Sequence, residues 1–183
     1  MRTSESGQSA LLLLDVVSLL KKENVDYAVI GAMAASVHGV VRASLDADAV
    51  MSVTTKRLGE LEKMFQQAGF QTELRRGDMD DPIPALLAVS DSYGNRVDLL
   101  AGLRGMDPKV FTRAIEVPFQ GETLRVVGRE DFIAMKLFAG GPQDLSDVRR
   151  ALAAAKDALD KPLLVRLAKG FGRQAVQSLR KIL

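Results

Sequence analysis

Apolar and polar positions along the chain predict an alternation of helices and strands. Apolar residues recur at helical spacing in residues 8–23 and again in residues 54–68. Between them, the short apolar run at residues 27–30 predicts a strand, and Gly31 predicts a tight turn into a helix over residues 32–37. The order of strand, turn and helix predicts an α/β domain.

The second half of the chain predicts two hairpins and then a helical end, because turn-forming residues separate short apolar runs before helical patterns take over. The expected strands and helices are, in order, residues 84–89 and 96–100, residues 115–117 and 123–127, residues 130–139, residues 145–158, and one or two basic helices. We therefore expect an α/β (α+β) core with a mixed, twisted sheet over residues 1–128. A helical C-terminal extension over residues 129–183 is expected to pack on that core.

Composition narrows the class of protein. The 183 residues, 47% hydrophobic and 26% charged, are sufficient for one globular domain with a sizeable core. The absence of cysteine excludes disulfides and thiolate zinc sites and leaves oxygen ligands as the main route to metal binding. The apolar stretch at residues 10–14 is stopped by Asp15, so we expect no membrane span and a cytoplasmic protein.

Positive charge is concentrated at the C-terminal end. Residues 161–183 contain six basic and no acidic side chains, although the net charge of the chain is only +2. Such a segment is typical of a solvated helix face, and it is also suited to contacts with the phosphates of RNA or with an acidic protein partner. The sequence leaves these alternatives open.

Three aspartates form the main candidate for chemistry. Asp46 and Asp48 alternate along the predicted strand 45–51 and therefore share one face, and Asp98 is in a separate strand that we expect beside it. Carboxylates gathered in this way repel each other unless a cation neutralises them. Their oxygen ligands predict a site for Mg²⁺, or for Mn²⁺ in its place, completed by water and substrate phosphates.

Two further positions near this acidic site are suited to phosphate. Gly31 lies where a strand turns into a helix, and a residue without a side chain lets a phosphate approach the backbone amides there. Arg42 is placed to meet either a phosphate or one of the aspartates, because its planar guanidinium makes charge-assisted hydrogen bonds.

The segment Ile30-Gly31-Ala32, followed after thirteen residues by Asp46-Ala47-Asp48, resembles the signature of the polymerase-beta-like nucleotidyltransferase superfamily. Asp98 matches the third acidic position of that signature. Residues 27–48 resemble the minimal bacterial group that includes AbiEii-type toxin proteins. Residues 130–136 and 143–147 resemble the lysine-containing helix and the Asp-x-x-Asp helix start of those proteins.

This resemblance implies a transferase that moves a nucleoside monophosphate from a nucleoside triphosphate to a hydroxyl acceptor. Asp46 and Asp48 would then hold the metal, and Asp98 would complete the site and act as the base. Gly31 would face the triphosphate, and Lys136 would contact a phosphate. The acceptor stays open among RNA, especially a tRNA end, a protein hydroxyl and a small molecule such as an antibiotic.

Ala32 departs from the family, which favours glycine or serine at this position; it offers a backbone amide for phosphate but no hydroxyl. A second hypothesis is therefore a catalytically reduced protein that binds a partner, such as an antitoxin, and a third is nucleotide sensing without transfer. His38 is interpreted as a capping or packing residue. Asp144 and Asp147 are interpreted as caps of the following helix or as side chains that position Lys136.

Overall fold

A mixed sheet forms the centre of the protein. The computed structural model describes residues 1–41, 43–78 and 80–183, without the side chains of Thr55 and Asp157, and this part of the chain contains a seven-stranded sheet of order β3-β4-β5-β2-β1-β7-β6. The strands are β1 (Tyr27–Val29), β2 (Ala47–Met51), β3 (Gln71–Arg76), β4 (Ala85–Ser90), β5 (Arg96–Leu100), β6 (Ile115–Phe119) and β7 (Glu122–Val126). The expected mixed α/β sheet is confirmed, since β2 pairs with β5 and β1 pairs with β7 in parallel while the other pairs are antiparallel.

Helices cover this sheet and form the end of the chain. They are α1 (Ser9–Lys22), α2 (Gly31–Val37), α3 (Thr55–Gln67), α4 (Val110–Arg113), α5 (Arg129–Ala139), α6 (Pro142–Ala155), α7 (Lys161–Gly170) and α8 (Arg173–Ile182), with a short 3-10 turn at Lys156–Ala158. None of the helices in the described ranges is long and apolar enough to cross a membrane.

The amphipathic patterns explain which faces are buried. In α1 the side chains of Leu12, Val16 and Leu20 have no solvent exposure, while Lys21 and Lys22 end the helix where positive charge is favourable. These leucines and valines share one core with the central strands and with α5. The core therefore holds the sheet and the C-terminal helices together.

An ion pair fixes the start of α5. The guanidinium of Arg113 donates from Nε and Nη2 to the two carboxylate oxygens of Asp131, at 2.8 and 2.6 Å. Asp131 is 4% exposed, and the bidentate geometry compensates for its removal from water. Because Asp131 lies in the first turn of α5, this pair anchors the helix that carries Lys136.

Two elements of the structure were not predicted, and the bounds of two predicted elements need correction. The polar segment Gln71–Arg76 carries no strand signal, yet it forms edge strand β3; its largely exposed side chains give no apolar alternation. The four-residue helix α4 also has no signal in the pattern. The helix expected over residues 145–158 begins at Pro142, after Gly141, and its regular part ends at Ala155. The strand expected over residues 45–51 begins at Ala47.

Candidate functional site

The turn between β1 and α2 lies directly against Asp48. The backbone N–H of Ile30 donates to the carbonyl oxygen of Asp48 at 2.9 Å, which continues the pairing of β1 with β2. Gly31 follows with a φ of +64°, a backbone conformation that L side chains rarely adopt. A Cβ at this position would lie 2.1 Å from Oδ2 of Asp48. Only glycine therefore fits here without a shift of the carboxylate.

Asp48 and Asp98 are neighbours across two parallel strands. β2 and β5 pair so that Asp48 is opposite Asp98, and both side chains are half-buried. Residues opposite each other in a sheet project on the same face. The expectation that the strand of Asp98 lies beside the strand of Asp48 is confirmed.

Arg96 occupies the space beside Asp98. Its Nε donates to Oδ1 of Asp98 at 2.7 Å, and its Nη1 lies 3.6 Å from Oε2 of Glu73 on the edge strand β3. The hydrogen bond with Asp98 is the main reason that the pKa of Arg96 is raised, with the negative charges of Asp98, Glu73 and Asp46 adding to it. One oxygen of Asp98 is thus already engaged by a cation.

Asp46 lies apart from the other two aspartates in secondary structure. It is exposed and lies in the bend one residue before β2. Asp46 is therefore outside the strand along which it was expected to alternate with Asp48. Its charge still acts on Arg96. The acidic side chains near Arg96 therefore include residues of β3, of β5 and of the bend before β2.

Asp48 and Asp98, which lie opposite each other, are the residues that a divalent cation would use here. Within the described ranges, no group of three or more His, Asp or Glu side chains has an arrangement that would hold a metal ion. Magnesium is commonly bound through one or two carboxylates, with water and substrate phosphates completing its shell. Asp48 and Asp98 provide two carboxylates on neighbouring strands, one of them hydrogen-bonded to Arg96, and the three-aspartate metal site stays a prediction.

A cavity of about 310 Å³ opens beside the Gly31 turn. Gly31, Asp48 and Lys136 line it together, which places three of the predicted site residues around one space. Ala32 and Asp46 line a separate cavity of about 180 Å³, with Ser36 and Ser44. Asp98 lines neither of these two cavities, so the predicted residues do not surround one common space.

Lys136 is held by two carboxylates of α6. Its Nζ lies 2.7 Å from Oδ1 of Asp144 and 3.3 Å from Oδ2 of Asp147, and Asp147 has no solvent exposure. Asp144 also accepts a hydrogen bond from the backbone N–H of Gly141 at 3.2 Å. Both interpretations of Asp144 therefore apply, since it caps α6 and positions Lys136. A contact of Lys136 with phosphate stays a prediction.

His38 has a structural environment, as expected. Its Nε2 donates to the carbonyl oxygen of Val127 at 2.8 Å, and its ring centroid lies 5.4 Å from that of Phe132. Burial is the main cause that lowers the pKa of the imidazole. The ring is thus held neutral between α2 and α5.

Arg96 and Glu73 are partners of the acidic site that the sequence pattern did not single out. The two-residue spacing of Arg96 and Asp98 on one strand was nevertheless a readable signal that both side chains share a face. Arg42, expected near phosphate, lies outside the described residues. The segments that line the rest of the cavity are distant in sequence, and no pattern along the chain predicted that they would come together.

No protein-family model matches the chain, and no curated protein matches it either. Solved structures do match. The solution structure of the antibiotic-resistance factor ANT(2'')-Ia has a TM-score of 0.61 at 15% identity and covers 93% of this chain and 94% of that chain. A crystal structure of ANT(2'')-Ia in complex with adenylyl-2''-tobramycin has a TM-score of 0.57 at 17% identity, covering 87% and 95%.

A third match is the crystal structure of a putative nucleotidyltransferase from Thermotoga maritima. It has a TM-score of 0.58 at 16% identity and covers 82% of this chain and 96% of that chain. Similarity at these identities concerns the architecture. The chain therefore has the fold of the nucleotidyltransferases.

Proposed function

We propose that this protein is a metal-dependent nucleotidyltransferase that moves a nucleoside monophosphate from a nucleoside triphosphate to a hydroxyl acceptor. The observation that carries the proposal is the packing of the Gly31 backbone against the carboxylate of Asp48, at the edge of a cavity large enough to receive a ligand group. A backbone without a side chain beside an acidic group suits phosphate and metal together. The fold shared with nucleotidyltransferases supports the same reaction class.

In the proposed reaction, the oxygen of the acceptor hydroxyl forms a bond to the α-phosphorus of the triphosphate. The bond from that phosphorus to the bridging oxygen breaks, and pyrophosphate leaves with the electron pair. The proton of the hydroxyl passes to a carboxylate, which we assign to Asp98. A bound Mg²⁺ supplies charge neutralisation at the phosphates, as metal ions do in phosphoryl transfer.

The residues of the chain divide the work in this proposal. Asp48 and Asp98 hold the metal on one face of the sheet, with Asp46 at the adjacent bend as a third acidic group. Gly31 and Ala32 present backbone to the triphosphate, and Arg42 supplies positive charge. The ion pairs of Lys136 with Asp144 and Asp147 hold the wall formed by α5 against α6.

A specific observation also favours a second candidate, a catalytically reduced protein that binds a nucleotide or a partner such as an antitoxin. The hydrogen bond from Arg96 to Asp98 occupies the carboxylate that transfer would need. In the transferase, metal and nucleotide must compete successfully with Arg96 for Asp98. In the catalytically reduced protein, Arg96 and Asp98 stay hydrogen-bonded, and substitution of Asp98 does not affect binding of the nucleotide or the partner.

The test is release of pyrophosphate from each of the four common nucleoside triphosphates with Mg²⁺, in the presence of RNA, a protein pool or hydroxyl-bearing small molecules. The transferase predicts release that depends on one acceptor class and that falls by about 10²- to 10⁴-fold in Asp98→Asn, the range expected for loss of a general base. Metal-dependent nucleotide binding without release from any acceptor supports the reduced protein instead.

A further inference from the structure

The cavity beside Gly31 has one polar end and an otherwise apolar wall. Asp48 and Lys136 supply the polar end, and they are its only charged lining side chains within the described parts of the chain. The remaining wall includes Ile83, Leu100, Leu103, Met135 and Phe138, which come from the loops around β4 and β5 and from one face of α5. A ligand that fills this space must therefore be amphipathic.

The lining of this cavity does not suit the phosphate backbone of an RNA acceptor. Lys136 is already paired with two carboxylates, those of Asp144 and Asp147, at 2.7 and 3.3 Å. Asp48 is the other charged residue of the lining within the described ranges. An RNA strand would bring further phosphates against the apolar remainder of the wall, whereas RNA binding generally requires basic side chains along the path of the phosphates.

The apolar end also argues against a polycationic ligand. A molecule with many amines needs carboxylates or hydrogen-bond acceptors along its whole length, because a buried unpaired ammonium is costly. The side chains of Ile83, Leu103 and Met135 offer neither. Only the end near Asp48 is suited to a hydroxyl or to a single positive charge.

We propose that the acceptor of this protein is a small hydroxyl-bearing molecule with an apolar body, bound with its hydroxyl towards Asp48 and its apolar part between the β4–β5 side and α5. This inference rests on the proposed transferase function, and it selects among RNA, protein and small-molecule acceptors. Burial of each methylene against such a wall is favourable, so an alkyl chain should increase affinity strongly.

The test compares probes that differ in one property, by ligand-observed NMR on the full chain without nucleotide. Hexyl β-glucoside carries hydroxyls and an apolar tail, glucose lacks the tail, spermine is a polycation, and a cytidine-cytidine-adenosine trinucleotide represents an RNA end. The proposal predicts that hexyl β-glucoside binds at least about tenfold more tightly than glucose. Stronger binding of spermine or of the trinucleotide would overturn it.

A pair of variants locates the binding. Ala139 is exposed at the end of α5 and lines the cavity mouth, so Ala139→Trp fills the mouth without disturbing the core. Ala153→Trp places the same side chain on an exposed position of α6 as the control. The proposal predicts that Ala139→Trp weakens hexyl β-glucoside binding at least about tenfold and that Ala153→Trp does not. Equal binding by the two variants would contradict it.

The competing occupant of the apolar wall is the base of the nucleotide. Displacement of hexyl β-glucoside by adenosine would assign the wall to the base and would overturn the acceptor assignment. Calorimetry with magnesium and nucleoside triphosphates separates the two proposals. Nucleotide binding without preference for hexyl β-glucoside over glucose leaves the transferase and removes this inference. A preference for hexyl β-glucoside without nucleotide binding removes the transferase.

Discussion

Gly31 and Asp48 are in such close contact that a single added carbon on Gly31 would lie 2.1 Å from a carboxylate oxygen of Asp48. The turn and the acidic strand are therefore one unit, in which the position of the carboxylate depends on the absence of a side chain at residue 31. This relationship connects the stability of the turn with the chemistry proposed for Asp48, and it leads to the first prediction.

Gly31→Ala is expected to reduce both stability and nucleotide binding. The left-handed backbone at φ +64° costs an alanine about 1–2 kcal/mol of unfolding free energy, and the new methyl group must also displace Asp48. Gly121→Ala is the matched control, because Gly121 has a φ of +77° in the β6–β7 turn and a Cβ added there would have no atom within 4 Å. Urea unfolding should show a similar backbone cost for both, and only Gly31→Ala should lose binding.

Asp98→Asn is expected to reduce transfer by about 10²- to 10⁴-fold. It should lower the unfolding free energy by no more than about 1 kcal/mol, because the pair with Arg96 is partly exposed and such pairs contribute little. Glu73→Gln removes a different carboxylate near Arg96 and should leave transfer unchanged, because the side chain of Glu73 is 73% exposed. Pyrophosphate release and urea unfolding of the two variants test this. Equal loss of transfer in both would mean that the charge of Arg96, and not Asp98, is what matters.

Lys136→Met is expected to be strongly destabilising. It removes the ammonium of Lys136 from the fully buried carboxylate of Asp147, and removal of one partner of a buried pair typically costs about 3–5 kcal/mol. The double variant Lys136→Met with Asp147→Leu should recover much of that loss, because no isolated charge is then buried. Denaturant unfolding of the two variants measures the coupling. A small effect of the single change would show that Asp147 is stabilised by other groups.

His38 predicts a pH dependence of stability. Burial lowers the pKa of its imidazole in the folded protein, so the unfolded chain binds a proton more readily. Its contribution to stability is therefore complete above the ordinary histidine pKa of 6.5 and is lost as the pH falls through that value towards the lower folded pKa. The free energy of unfolding should fall between about pH 7.5 and about pH 5.5, and His38→Asn should flatten that slope.

The sequence was sufficient for the central part of the fold. Apolar runs and a glycine at the turn predicted β1 and α2, and two strands carrying Asp48 and Asp98 were correctly expected to be neighbours. These features depend on local patterns and on strand pairing between buried segments, which leave clear traces in the order of apolar residues.

The parts of the fold and of the candidate site that were not predicted depend on contacts between segments that are distant in sequence. The edge strand β3 has mainly exposed side chains, so its pairing with β4 left no apolar alternation to read. The ion pairs of Lys136 were foreseen only as one of two interpretations of Asp144 and Asp147, since a pattern along one helix does not show which neighbouring side chains turn towards it. The apolar wall of the cavity arises from three separated segments and required the structure.

The central claim is that Asp48 binds a nucleotide together with a divalent cation, and calorimetry with Mg²⁺ and each nucleoside triphosphate tests it most directly. We predict binding by the wild-type chain that is lost when the metal is chelated and lost again in Asp48→Ala with the metal present. Equal binding by the wild type and Asp48→Ala, or binding that does not depend on the metal, would contradict the account.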